Sequence, residues 1–169
     1  MKIVIAMDSL KGSLPSLEAG NAVREGILRA MPNAQVIVRP LADGGEGTVE
    51  ALTLGMGGKL AQVNVSGPMG HPTLCTYGVI EKNKTAVVEM SGAAGITLVP
   101  EQSRDPLLAT TYGVGEVIRD AIAKGCRRFI VGIGGSATND GGIGMLQALG
   151  FGMLDENSQP VGLGAKGLK

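Results

Sequence analysis

The segment Gly132-Ile133-Gly134-Gly135-Ser136-Ala137-Thr138-Asn139-Asp140-Gly141-Gly142 constrains this chain more than any other. The apolar run Phe129-Ile130-Val131 precedes it, and Met145-Leu146-Gln147-Ala148-Leu149 follows. That order predicts a strand, a glycine loop and a helix. Such a loop lets backbone amides approach an anion closely at a helix N-terminus. Ser136, Thr138, Asn139 and Asp140 add side chains suited to a metal ion or a hydroxylated ligand.

The same order recurs earlier in the chain. Lys2 to Met7 reads as a parallel strand buried on both faces. A loop from Asp8 to Ser13 follows. Ser13 or Ser16 is placed to cap a helix with Pro15 in its first turn. Ala19, Ala22, Val23, Ile27, Ala30 and Met31 then recur at helical spacing. Gln35 to Val38 reads as a second strand. The loop Asp43-Gly44-Gly45-Glu46-Gly47-Thr48 leads into a short helix reaching about Leu54. Past the break at Gly55 to Gly58 the texture changes. Leu60 to Val65, Leu74 to Ile80 and Thr85 to Met90 read as strands joined by turns. Val114, Val117, Ile118, Ala121 and Ile122 mark an amphipathic helix closed by Lys124 and Gly125. Arg128 to Ile133 is the strand feeding the glycine loop. Phe151 to Leu154 reads as one more strand, and residues 162–169 carry no expected element.

This pattern predicts an α/β chain with a β-rich segment after Gly58. With 44% hydrophobic but only 2% aromatic residues, its core must be aliphatic. Basic and acidic residues balance at 15 each, and no basic stripe or Trp is present, so nothing points to nucleic acid. Cys75, Cys126 and the single His71 fit no zinc spacing. The two cysteines read as reduced thiols of a cytoplasmic protein. The first apolar run is too short for a signal peptide, and no stretch approaches a membrane span.

In open parallel sheets, loops beyond the strand C-termini converge on one crevice. Three loops belong there: Asp8 to Ser13, Asp43 to Thr48 and Gly134 to Gly142. They bring Asp8, Lys11, Asp43, Glu46 and Asp140 together with several amides. Phosphoryl transfer uses such groups: cations and N–H donors on phosphate oxygens, carboxylates on Mg²⁺, and a carboxylate for the acceptor's proton. There is no Gly-x-x-x-x-Gly-Lys-Ser/Thr motif, so the chain is not of the Walker type. Gly132 to Ala137 matches a dinucleotide-binding fingerprint, with Asp155 at the distance of a ribose-binding acid. An NAD-binding oxidoreductase half is therefore the competing reading, and a non-catalytic anion-binding remnant is another. Glu89, ending a strand before Ser91, reads either as facing the cleft or, more commonly for a strand-end carboxylate, as merely solvated. Arg104 reads either as a substrate-carboxylate ligand or as a helix cap, and His71 as an exposed turn residue.

Together these motifs resemble the bacterial glycerate kinase family of the glycerate 2-kinase type. The resemblance rests on Asp8-Ser9-Leu10-Lys11-Gly12-Ser13, Ala42-Asp43-Gly44-Gly45-Glu46-Gly47-Thr48 and Gly132 through Gly142. Glu89-Met90, Arg104-Asp105-Pro106 and Thr111-Tyr112-Gly113-Val114-Gly115-Glu116 extend it along nearly the whole chain. Met7 and Leu10 stand where family members often carry proline and an aromatic residue.

The resemblance implies ATP-dependent phosphorylation of D-glycerate to 2-phosphoglycerate with Mg²⁺, in the cytoplasm. It implies two α/β domains with the site between them. Residues 1–58 would begin a discontinuous Rossmann- or flavodoxin-like domain with a parallel sheet. Residues 59–169 would form an incomplete second, mixed α/β domain. Members of the family run to more than twice this length, so the expectation is an N-terminal portion with little kinase activity alone. Within that reading, Asp8, Lys11, Asp43 and Asp140 are the catalytic candidates, and Asp43 and Glu46 the Mg²⁺ ligands. Ser9, Gly44, Gly45, Glu46, Gly47, Thr48 and Arg104 are assigned to substrate or nucleotide, as are Gly134, Gly135, Ser136, Thr138, Asn139, Gly141 and Gly142.

Overall fold

The computed structural model describes residues 1–10 and 13–168. The chain is a mixed α/β protein with two sheets. β1 (Lys2–Met7) and β2 (Gln35–Pro40) form a parallel pair, joined by the crossover helix α1 (Ser16–Ala30). After α2 (Thr48–Gly55), the strands β3 (Lys59–Ser66), β4 (Pro72–Ile80), β5 (Thr85–Glu89) and β6 (Arg128–Gly132) make a second sheet in that order. β3, β4 and β5 run antiparallel in sequence, and β6 adds parallel to β5. α3 (Met90–Ala94) follows β5 directly, α4 (Tyr112–Ala123) is the crossover to β6, and α5 (Ile143–Ala148) lies beyond the glycine loop.

The larger core lies between the four-stranded sheet and α3, α4 and α5. Val65, Cys75, Tyr77, Ala86 and Val88 from the sheet meet Val114, Val117 and Ala121 of α4. α4 carries Gly113 and Gly115, which by propensity cost a helix about 1 kcal/mol each. Close approach explains them. A Cβ on Gly113 would collide with the Ser66 carbonyl, and one on Gly115 would lie 2.7 Å from the Ala148 Cβ of α5. A smaller cluster of Val49, Ile80 and Val87 packs α2 onto the other face of the same sheet. α2 thus touches β2 as well as β4 and β5, bridging the two sheets.

Several expectations need correction. β1 is buried on one face only: Ile5 packs under α1, whereas Val4 is 58% exposed. Pro15 is the N-cap of α1 rather than a first-turn residue, and the Ser16 hydroxyl donates to the Met7 carbonyl at 2.6 Å instead of capping. Phe151 to Leu154 forms no strand, since its only pairing is an isolated bridge between Leu154 and Pro160. Met90 ends no strand and instead starts α3. Residues 165–168 form a short 3-10 turn. Among the described residues, no helix is long and apolar enough to cross a membrane.

Candidate active site

Two glycine-rich loops meet backbone to backbone. The Gly134 amide donates to the Gly44 carbonyl at 2.9 Å. The approach demands glycine in the second loop: a Cβ on Gly132 would lie 2.6 Å from the Gly44 oxygen, and one on Gly134 2.8 Å from the Gly45 Cα. The 43–48 loop is braced internally. Asp43 Oδ1 accepts from the Gly45 amide at 2.9 Å, and Thr48 Oγ1 from the Gly44 amide at 3.1 Å. Gly47, with φ of 91°, then caps α2.

The far side of the second loop is tied to the segment after β5. Ile96 N–H donates to the Gly135 carbonyl at 2.9 Å, and Ala137 N–H to the Ala94 carbonyl at 2.8 Å. Ser136 and Thr138 pair through their hydroxyls at 2.7 Å. Among the described residues, the amides of Gly135, Ser136 and Asn139 find no protein acceptor. A run of unclaimed donors in a glycine turn is the chemistry that receives phosphate or carboxylate oxygens.

Asp140 behaves differently from the other carboxylates. It is 1% exposed. Its Oδ2 accepts from Thr111 N at 2.8 Å, Thr111 Oγ1 at 2.9 Å, Gly144 N at 3.3 Å and Thr110 Oγ1 at 3.4 Å. Its Oδ1 accepts from Gly142 N at 3.1 Å. This carboxylate clamps the C-terminal end of the glycine loop to the start of α4. Thr111 Oγ1 in turn accepts from Met145 N in α5 at 2.9 Å.

Asp8, Ser9 and Ser16 line a cavity of about 130 Å³ together with Glu46, Glu50 and Leu54. Asp8 Oδ1 accepts from Ser9 N at 2.7 Å. The first and second predicted loops therefore share a depression rimmed by carboxylates. Lys11 lies outside the described residues. Arg104 donates to the Val99 carbonyl at 3.4 Å and lines a separate cavity of about 110 Å³ with Ile96 and Ala137. Gly142 is the N-cap of α5, and Gly141 lies beside it at the clamped end of the loop. Among the described residues, no three His, Cys, Asp or Glu side chains form a metal cage. Cys75 and Cys126 are unpaired and buried. Burial, with Glu89 nearby, pushes the Cys75 thiol up to about 11, which leaves it a packing residue.

Glu89 is the residue that sequence reasoning undervalued. It is 9% exposed rather than solvated, at the end of β5 in register with Gly132. Its Oε1 accepts from Val49 N in the first turn of α2 at 2.6 Å, and its Oε2 from the Ser91 hydroxyl at 3.3 Å. Burial holds its carboxyl above the usual carboxylate range, against the pull of those two donors, and Glu46 and Glu50 add repulsion. Thr110 and Thr111 carry no sequence signal for this role beyond the place of Thr111 in the 111–116 motif.

The dinucleotide alternative fails on geometry. Its first glycine, Gly132, is the last residue of β6. No helix starts at Ala137, which bonds to Ala94 instead, and α5 begins only at Ile143. Asp155 accepts from the Asn157 and Gln159 amides in an exposed turn.

The fold and its loops thus define an α/β protein whose glycine turns gather at strand C-termini, beside a carboxylate-rimmed depression. The comparisons with known proteins specify it further. The family model described as "Glycerate kinase family" matches residues 3–169, and the chain belongs to that family. It is 49% identical to glycerate kinase from Haemophilus influenzae over 97% of its own length and 43% of the relative's. To glycerate 2-kinase from Escherichia coli (strain K12) it is 46% identical, over 99% of this chain and 44% of that one. A crystal structure assigned to glycerate kinase 2 from Salmonella typhimurium LT2 superposes with a TM-score of 0.92 at 47% identity, covering 99% of this chain and 45% of the other. The chain therefore spans less than half the length of these relatives.

Proposed function

We propose that this chain carries part of the machinery for ATP-dependent phosphorylation of D-glycerate at its 2-hydroxyl. The observation supporting the reading is the contact of the Gly44–Gly45 and Gly134–Gly135 turns: the first turn leads into Glu46 and Gly47 at the carboxylate-lined depression, and the second carries the unclaimed amides. Gly135, Ser136 and Asn139 amides hold phosphoryl or carboxylate oxygens, and the Thr138 hydroxyl joins them. Asp8, with one oxygen engaged by Ser9, receives the proton of the glycerate hydroxyl. That hydroxyl oxygen bonds to the γ-phosphorus, the bond from that phosphorus to the β–γ bridging oxygen breaks, and ADP leaves. Asp140 positions the loop through its five donors instead of reacting.

The hard oxygen donors of Asp43 and Glu46 suit Mg²⁺. That ion needs only one or two protein carboxylates beside phosphate oxygens and water, so the lack of a three-residue cage among the described residues is compatible with it. When bound, Mg²⁺ neutralises charge on the transferring phosphate. Lys11 is assigned from sequence alone to an anionic group of either substrate, and Arg104 to a substrate carboxylate beside Ala137. Residues 1–58 belong in this reading to a discontinuous Rossmann-like lobe and 59–169 to a second lobe. A cytoplasmic location, supported by two unpaired thiols, completes it.

In a protein of the relatives' full length that carries this segment, ADP release that requires D-glycerate, ATP and Mg²⁺ together, with 2-phosphoglycerate identified by phosphorus NMR, is the expected result, and the 169-residue portion alone should show little of it. Asp8→Asn should lower kcat by about 10²–10⁴-fold, the range for loss of a general base. A full-length protein carrying this segment that shows no D-glycerate-dependent ADP release would end the reading.

A further inference from the structure

We infer that Glu89 is a positioning residue that holds the two glycine turns at a fixed spacing, an assignment that rests on the proposed kinase site. Three sets of contacts carry it. First, its carboxylate reaches 40 residues back to the Val49 amide, fixing the first turn of α2 and the 43–48 loop that feeds it. Second, its other oxygen holds the Ser91 hydroxyl, and the Ser91 side chain lies where a Cβ on Gly135 would come within 3.2 Å. Third, Ile96 and Ala94, just beyond Ser91, bond the same loop at Gly135 and Ala137. The Gly44–Gly134 bond closes the circuit from the opposite side. One buried carboxylate thus connects both turns from beneath, and neither turn contacts it through a reacting group.

The charged groups facing Glu89 are Glu46 before α2 and Glu50 in its first turn, with the Cys75 thiol of β4 nearby. Both glutamates favour the protonated acid, while the thiol, raised to about 11, is neutral where Glu89 titrates and adds no charge. Protonation turns one acceptor oxygen into a donor, so the Ser91 hydroxyl must turn from donor to acceptor to keep its bond. The tether therefore rearranges as pH falls, and the acid limb of the kinetic profile should contain this group.

The test combines kinetics with backbone hydrogen exchange on wild type, Glu89→Gln and Glu89→Ala, each in a full-length protein carrying this segment. Glu89→Gln keeps an acceptor for Val49 N–H but removes the charge. Its kcat/KM for D-glycerate should fall by about 10–100-fold, as for a small misplacement of reacting groups, and its acid limb should flatten. In Glu89→Ala, peptides covering 43–50 and 132–138 should both exchange about tenfold faster or more, while β3 and β4 remain unchanged. Kinetics and pH profile matching wild type in Glu89→Gln would overturn the assignment. So would faster exchange confined to 43–50, since Glu89 would then be only a cap for α2. If wild type fails to phosphorylate D-glycerate, the functional reading falls and exchange alone decides the role of Glu89. If Glu89→Ala does not fold, exchange in Ser91→Ala decides instead: faster exchange at 132–138 supports the tether, and wild-type exchange there refutes it.

Discussion

Replacing Asp140 by alanine separates a structural clamp from a reacting carboxylate. In the wild-type protein five donors converge on Asp140. The hydroxyls of Thr110 and Thr111 can rotate toward other acceptors, but the buried amides of Thr111 and Gly144 have no such freedom. Each buried donor left unpaired costs about 1–3 kcal/mol. Together they predict a loss of about 2–6 kcal/mol, with water entering the vacated space accounting for the lower end. A domain's total stability is about 5–15 kcal/mol, so this is a large fraction. Urea denaturation followed by circular dichroism reads it directly. With a slope of about 2 kcal/mol per molar, a loss of about 4 kcal/mol moves the midpoint down by about 2 M. Thr111→Val is the milder arm. It removes one donor to Asp140 and the acceptor of Met145 N–H, for about 1–3 kcal/mol. The reasoning is refuted if Asp140→Ala unfolds within 1 kcal/mol of wild type (roughly the spread of ordinary substitutions) yet loses all turnover. That outcome would mark Asp140 as a group that touches the substrate.

Gly134→Ala places a methyl group 2.8 Å from the Gly45 Cα. Pushing the turns apart should cost about 1–3 kcal/mol and weaken ADP binding measured by calorimetry; unchanged affinity would detach the turn contact from ligand binding. Glu89→Gln tests the electrostatics. Burial, with Glu46 and Glu50 nearby, raises the folded-state value of Glu89. The stability this contributes is complete below the unfolded-chain value and is lost as pH rises through the raised one. Glutamine does not titrate, so the stability of variant minus wild type should increase as pH rises from about 4, the unfolded-chain value, through the raised one. Urea midpoints across that range check it, and a flat or falling difference contradicts the burial argument.

What the sequence made legible follows from how local each determinant is. β3, β4 and β5 carry alternating or apolar runs between turn residues, so they can be read without knowing the fold. α3 cannot, because five residues are too few to form a helix on propensity alone, even with Met90, Ala93 and Ala94 among them; its packing on β4 and α4 makes it helical. The failed strand at 151–154 shows the reverse. An apolar run without a partner is no strand, and Phe151 and Leu154 remain exposed.

The site divides along the same line. Glycine turns and carboxylates after apolar runs announce themselves, but their roles depend on distant partners. Asp140 is defined by Thr111, 29 residues away, and Glu89 by Val49, 40 residues away. The glycines themselves have a second reason to be there. Beyond admitting a ligand, Gly132 and Gly134 let the loop seat against Gly44 and Gly45, where any side chain would intrude on backbone. A motif that looks purely ligand-binding in sequence is thus also a packing motif. Glycine substitutions here should therefore change loop spacing as well as affinity, and a change in affinity alone would leave the packing reason without support.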